Sequence, residues 1–201
     1  MRKVGFYALM MSLALALCAC TGGGVSNDDF AAAVQEAYRG AASMTMETRL
    51  RCDIGDAVRE YTLGCTYEHG GGYRVTVIEP QELAGISASV DGDSLALHYD
   101  GVTLEAGDVS EEVCAANGAA YVMESAARGY VLEQSRSSWN GEPCRCITFE
   151  TSSVSKAEIL CTVFFSEDMK PLCAEISKEG AVFIFMEFTN FEFGATIEQD
   201  T

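Results

Sequence analysis

The sequence predicts a mainly β protein of the α+β kind. It should form one antiparallel sheet of about ten or eleven strands, with an N-terminal helix and a short helical insertion. Apolar residues alternate with polar ones over run after run, as in Tyr73, Val75 and Val77 against Arg74 and Thr76, the period of a strand with one face buried. Tight-turn signals fall between those runs, at Asp91-Gly92-Asp93, Asp100-Gly101 and Asn140-Gly141. Helical spacing occurs in only two places, at 30–41 and within 110–128.

The chain opens with Arg2 and Lys3, then an apolar run from Val4 to Leu17. A positive start before an apolar stretch too short for a typical membrane span reads as an export signal. The run ends Leu17-Cys18-Ala19-Cys20, followed by Thr21 and three glycines. A small residue before a Cys, with Leu three before it, looks like a lipobox. Residues 1–19 would then be a lipoprotein signal peptide, and Cys20 the lipidated residue on a tether of residues 20–26. Two or three acyl chains hold a protein firmly on a membrane, at roughly 0.8 kcal/mol per buried CH2. The expected location is the extracytoplasmic side of the cell membrane.

Of 201 residues, 182 remain after residue 19, enough for one domain with a sizeable core, taken as 27–201. Cleavage removes two bases and no acid, so the net charge moves from −17 to −19. Such a surface repels phosphate backbones, and no nucleic-acid partner is expected. Anionic headgroups would repel it too, which leaves the acyl anchor as the membrane attachment.

Asn27, Asp28 and Asp29 suit a helix start, and Phe30, Ala33, Val34, Ala37, Tyr38 and Ala41 form its apolar stripe. Met44, Met46, Leu50, Cys52 and Ile54 mark a first strand; Tyr61, Leu63, Cys65 and Tyr67 mark a second, after a turn near Gly55-Asp56. Pro80 ends the Tyr73 strand, because it has no N–H for a ladder. Ile86, Ala88 and Val90, then Leu95, Leu97 and Tyr99, complete a meander. Ser110-Glu111-Glu112 reads as a helix start, Asn117-Gly118 as a break and Gly129 as a C-cap. Strands follow at Tyr130–Trp139, Glu142–Thr151, Ala157–Phe165, Pro171–Ser177 and Ala181–Phe193. The last is apolar on both faces, which belongs in a sheet interior or under a helix.

The order strand, Pro80, short apolar segment, Asp91-Gly92, strand ending Tyr99-Asp100-Gly101 resembles the LolA-like lipoprotein-carrier superfamily. Phe164-Phe165-Ser166-Glu167-Asp168-Met169-Lys170-Pro171-Leu172 looks like that family's hairpin before its last strands. Phe188-Thr189-Asn190-Phe191-Glu192-Phe193 looks like its closing strand. The resemblance implies a curved sheet forming a half-open barrel around an apolar cavity, with residues 110–128 covering its concave side. Met46, Leu50, Leu63, Val75, Val77, Leu97, Tyr99 and Phe185 are then the candidates to line the cavity. As ordinary core they would pack on the helices instead.

The family resemblance implies two functions. One is an envelope interaction or regulatory module, as in RseB-type sensors or GerS-type lipoproteins that partner a cell-wall hydrolase. The alternative is a carrier of lipid or lipoprotein acyl chains.

Seven cysteines remain in the domain: Cys52, Cys65, Cys114, Cys144, Cys146, Cys161 and Cys173. An odd number cannot all pair within one chain. A turn centred between Ser153 and Val154 would set Cys146 opposite Cys161, where a cross-strand disulfide could form. Otherwise these are small buried hydrophobes. Cys144-Arg145-Cys146 lacks the CxxC spacing and second pair of a zinc knuckle, and neither His69 nor His98 has a ligand partner at metal spacing, so no metal and no cofactor are expected. No G-x-S-x-G, HExxH, Walker loop or strand-following GxGxxG is present, so an enzyme is not expected. His98 should point away from Leu97 and Tyr99, towards solvent.

Overall fold

A computed structural model describes residues 27–54, 57–70, 72–91, 94–108, 113–150 and 159–195. Cys20, its signal and tether, the helix start expected at Ser110-Glu111-Glu112, and the turns expected around 55–56, 92–93 and 151–156 lie outside the described residues.

Eleven strands form one open antiparallel sheet: β1 Ser43–Ile54, β2 Ala57–Glu68, β3 Tyr73–Glu79, β4 Ser87–Asp91, β5 Ser94–Tyr99, β6 Val102–Asp108, β7 Tyr130–Trp139, β8 Glu142–Glu150, β9 Ile159–Phe165, β10 Pro171–Lys178 and β11 Ala181–Phe193. Their spatial order is β6-β5-β4-β3-β2-β1-β11-β10-β9-β8-β7. Two hairpin meanders therefore meet where β11 pairs with β1. Both helices, α1 Asn27–Gly40 and α2 Gly118–Arg128, pack on one face, the inner one. The sheet does not close, which is the half-barrel arrangement.

The inner face is the apolar half of each alternation. On β1 it carries Met44, Met46, Thr48, Leu50 and Cys52, all buried. β11 lies between β1 and β10, the interior position its apolar character requires. Asn140 and Gly141 both have positive φ, 51° and 86°, as a two-residue hairpin turn demands.

α1 buries Phe30, Ala31, Val34 and Tyr38. Tyr38 packs edge-on to Phe165 and Phe193, and its hydroxyl donates to the Met169 carbonyl at 3.1 Å. This fixes the helix to the β9–β10 turn and the end of β11. Burial without a charged partner pushes the Tyr38 phenol well above its ordinary value.

The helical insertion differs from expectation. Asn117-Gly118 does not break a helix but begins one. Residues 113–117 form a turn in which Asn117 Oδ1 accepts the Cys114 N–H at 2.7 Å, a local bond that competes with helix. A Cβ on Gly118 would meet Leu50, Ile184 and Met186 at 3.7 Å, so α2 starts directly over the centre of the sheet. It buries Val122, Met123 and Ala126 completely.

The expected Cys146–Cys161 pairing is corrected. β8 and β9 pair with Cys146 opposite Phe164 and Cys161 opposite Phe149. Cys161 is buried on the inner face and Cys146 lies on the outer, and both are free thiols. The physical reason is parity. Ile147 and Phe149 must share a face with Cys161, Val163 and Phe165, so opposed residues are odd with odd; an odd–even pair would turn one strand's apolar set to solvent.

Candidate functional site

The concave face is filled beneath α2; an apolar groove lies open beyond that helix, and a larger, partly charged hollow of about 960 Å³ lies beside α1, lined by Glu36, Arg39, Asp168, Met169 and Phe193. Met46, Cys65, Tyr67, Tyr73, Ala119 and Ala120 surround only about 10 Å³ of space, because α2 packs down onto them. Leu50 is fully buried beneath the start of the same helix. Beyond α2, a groove of about 200 Å³ remains over β2 to β5. Leu63, Val75, Val77 and Leu97 form its floor and far wall, with Tyr61, Ile86 and Ala88; Ala115 and Ala116 form the near wall.

Four of the eight expected cavity residues therefore meet in one groove. Met46 and Leu50 are core beneath α2. Tyr99 shares the face of Leu97 but stands outside the groove. Phe185 is corrected to the opposite face: it pairs with Arg51, while Ile184 and Met186 pair with Cys52 and Leu50 inside. There Phe185 packs near Trp139, ring centres 6.1 Å apart. Ala115 and Ala116 line the groove unexpectedly, since only the turn at 113–117 brings them there.

Apart from Ser87 and the Tyr61 hydroxyl, the described lining is apolar. Among the described residues no Asp, Glu, Lys, Arg or His lines the groove. At its inner end the Tyr67 hydroxyl donates to Glu124 Oε2 at 2.6 Å, and Glu124 accepts from Arg128 at 3.2 Å, bolting α2 to β2. Desolvation, then the Glu124 hydrogen bond and charge, push the Tyr67 phenol up. Burial, with the Cys114 charge adding to it, pushes Tyr73 up to about 12; burial pushes the Cys65 thiol up to about 12. These groups stay neutral at pH 7, so the arrangement offers contact area rather than a base or nucleophile.

Two further polar features lie outside the groove. His98 sits between hydroxyls, with Ser89 Oγ 2.8 Å from Nε2 and Thr103 Oγ1 3.0 Å from Nδ1, on the face away from Leu97. Arg145 is buried on the inner face over the Phe30 ring at 5.0 Å, with Glu167 at 3.5 Å. Cys144 and Cys146 flank it on the outer face. The alternation of β8 already placed Arg145 with Ile147 and Phe149, a signal obscured by its charge. Among the described residues no three His, Cys, Asp or Glu side chains converge as metal ligands.

No family model matches the chain, and no curated protein matches it. Solved structures do. A LolA superfamily protein from Nitrosomonas europaea is similar at 12% identity, over 86% of this chain and 95% of that one, with a TM-score of 0.49. LprF from Mycobacterium bovis is similar at 9% identity, over 88% and 97%, with a TM-score of 0.48. The Pseudomonas aeruginosa MucA/MucB complex matches at 14% identity, over 87% of this chain and 59% of that chain, with a TM-score of 0.44. The chain itself is an open eleven-stranded half-barrel with two helices on its inner face.

Proposed function

We propose that this chain is a membrane-anchored extracytoplasmic lipoprotein, non-enzymatic, that acts as an interaction or regulatory module of the cell envelope and holds one apolar chain in its groove. The observation that carries this reading is the uncharged, apolar groove at the open end of a half-barrel whose centre is packed solid. Ligand pockets commonly run from about 300 to 1,000 Å³. A groove of about 200 Å³ suits a short length of acyl chain and not a whole lipid. That size favours a local grip over the alternative, a carrier that swallows its cargo. An anchor at Cys20 favours the same choice, because a protein held by its own acyl chains is a poor long-range shuttle.

Native mass spectrometry of the protein purified gently from its own cells tests the groove. The expected spectrum shows a non-covalent addition in the lipid range that is lost on denaturation. Ala116→Phe fills the groove from its exposed wall. Excluding about two methylene groups at roughly 0.8 kcal/mol each should lower occupancy by about tenfold, with the melting temperature little changed. A bare protein mass in the parent, or undiminished addition in Ala116→Phe, would overturn the ligand reading.

The anchor is tested separately. Cys20→Ala removes the thiol that stands just after the expected cleavage point, where diacylglycerol would be attached. The parent should begin at Cys20 and carry the mass of diacylglycerol there, whereas Cys20→Ala should lack that mass and keep residues 1–19. An unlipidated Cys20 in the parent sinks the lipoprotein assignment.

A further inference from the structure

The apolar surface does not stop at the groove. Leu97 and Leu104 are directly opposed across β5 and β6, and so are Tyr99 and Val102. Opposed residues share a face, so all four side chains continue the floor of the groove outwards. They are 39%, 62%, 59% and 67% exposed, respectively. β6 is the edge of the sheet: β5 is its one neighbour among the described residues. The strip thus runs from the groove to a strand with one side unpaired.

Edge strands usually carry devices against pairing, such as Lys, Pro, a bulge or a short length. β6 has neither Lys nor Pro. Its bulge falls between Glu105 and Gly107, with Gly107 at φ +90°, which leaves Val102–Glu105 regular and open. The other edge, β7, is bulged between Val131 and Glu133 and carries Glu133 and Arg136 within its length, whereas the charges of β6, Glu105 and Asp108, fall at the end of its regular part and beyond. β6 is the edge built to accept a strand.

Charge selects the occupant. Between Tyr73 and Asp108 the chain carries seven carboxylates and a single Lys or Arg, Arg74. A second copy would bring the same acidic segment against itself, and an anionic membrane surface would be repelled. We infer that β6 accepts, by strand addition, an extended segment of a partner protein in which Lys or Arg alternates with apolar residues. Its backbone pairs with Val102–Glu105, its apolar side chains extend the strip over Tyr99, Val102 and Leu104, and its basic side chains meet the acidic surround. This site adjoins the groove at Leu97, but the strand pairing itself is made on Val102–Glu105, outside the groove.

The probe is a labelled seven-residue peptide of alternating Lys and Val or Leu, beside the same peptide N-methylated at alternate residues. N-methylation keeps side chains and charge but removes the N–H groups a strand needs. Fluorescence anisotropy should show at least tenfold weaker binding for the methylated peptide. The double variant Val102→Ser/Leu104→Ser, at exposed positions that leave the core intact, should lose a similar factor. Hydrogen exchange should show new protection confined to Val102–Glu105, and Ala116→Phe should bind the peptide as the parent does. No binding of the parent peptide overturns the proposal, as does equal binding of the methylated peptide or protection on β7 instead. So too does a doubled protein mass, or binding to vesicles of phosphatidylglycerol and phosphatidylcholine, that Val102→Ser/Leu104→Ser abolishes; these would give the strip to a second copy or to lipid.

Discussion

Phe149→Ala should cost about 3–5 kcal/mol of stability, a large share of the roughly 5–15 kcal/mol of an ordinary domain. Phe149 is fully buried on the inner face of β8, opposite Cys161, and meets Phe165 edge-on at 6.5 Å. It also underlies the exit of α2, since a Cβ on Gly129 would lie 2.9 Å from the Phe149 Cβ. The ring therefore supports a helix and a strand at once, and neither can collapse into its place while Gln35 holds the Gly129 carbonyl to α1 at 2.7 Å. The check is a urea melt at pH 7. Gly129→Ala should cost about 1–3 kcal/mol by overpacking. Combining it with Phe149→Ala should not restore stability, because the Ser125 carbonyl still stands 2.5 Å from the added methyl. A loss below about 1 kcal/mol for Phe149→Ala would mean that this layer is not the packed centre described above.

Raising the pH from 9 to 12 should weaken the fold by several kcal/mol. Burial pushes the thiols of Cys65 and Cys161 from 9.0 up to about 12; at Cys161 a hydrogen bond with Ser125 offsets part of the effect. In the unfolded chain these thiols lose their protons near the ordinary value, while the folded protein keeps them. The folded state therefore binds more protons throughout the window, and stability falls as pH rises. Their contribution is fully present below pH 9 and is lost as pH climbs towards 12. A tenfold difference in proton affinity between the folded and unfolded states corresponds to about 1.4 kcal/mol, so the two thiols together supply an effect on the order of several kcal/mol. Tyr38 and Tyr67, both pushed up by burial, act in the same direction above pH 10. Urea midpoints at pH 7, 9 and 10.5 measure it. Cys65→Ala/Cys161→Ala should be less stable at pH 7, because it leaves cavities, yet flatter between pH 9 and 10.5. An unchanged slope in that variant would remove Cys65 and Cys161 as the cause.

Most of the strands were legible from alternation alone. Tyr73, Val75 and Val77 mark β3, and Pro80 follows directly on its end. Asn140-Gly141 marks the β7–β8 hairpin by itself, because its residues tolerate the positive φ that the turn requires. The groove was half legible: Leu63, Val75, Val77 and Leu97 are the apolar members of neighbouring strands, and neighbouring strands share faces.

Other features depended on pairing partners far away in sequence. Ala181–Met186 is apolar at both parities, so nothing local chooses whether Phe185 or Met186 faces inwards. The choice is made by β1, more than a hundred residues earlier, whose Leu50 stands opposite Met186. The β8–β9 register depended on which faces of two strands had to be buried together, whereas a turn centred between Ser153 and Val154 would set odd residues opposite even ones. Whether the concave face was hollow depended on where α2 lay along it, and the close approach of Gly118 to Leu50 and Met186 placed the helix over the centre. The sequence by itself determined the strands, their turns and the identity of their apolar faces, because those follow from period and local turn chemistry. Only the tertiary structure decided which face of β11 is inside, that Cys146 and Cys161 lie apart, and that the half-barrel is filled at its middle and open at β2–β6, because burial is settled between segments that meet only in the folded chain.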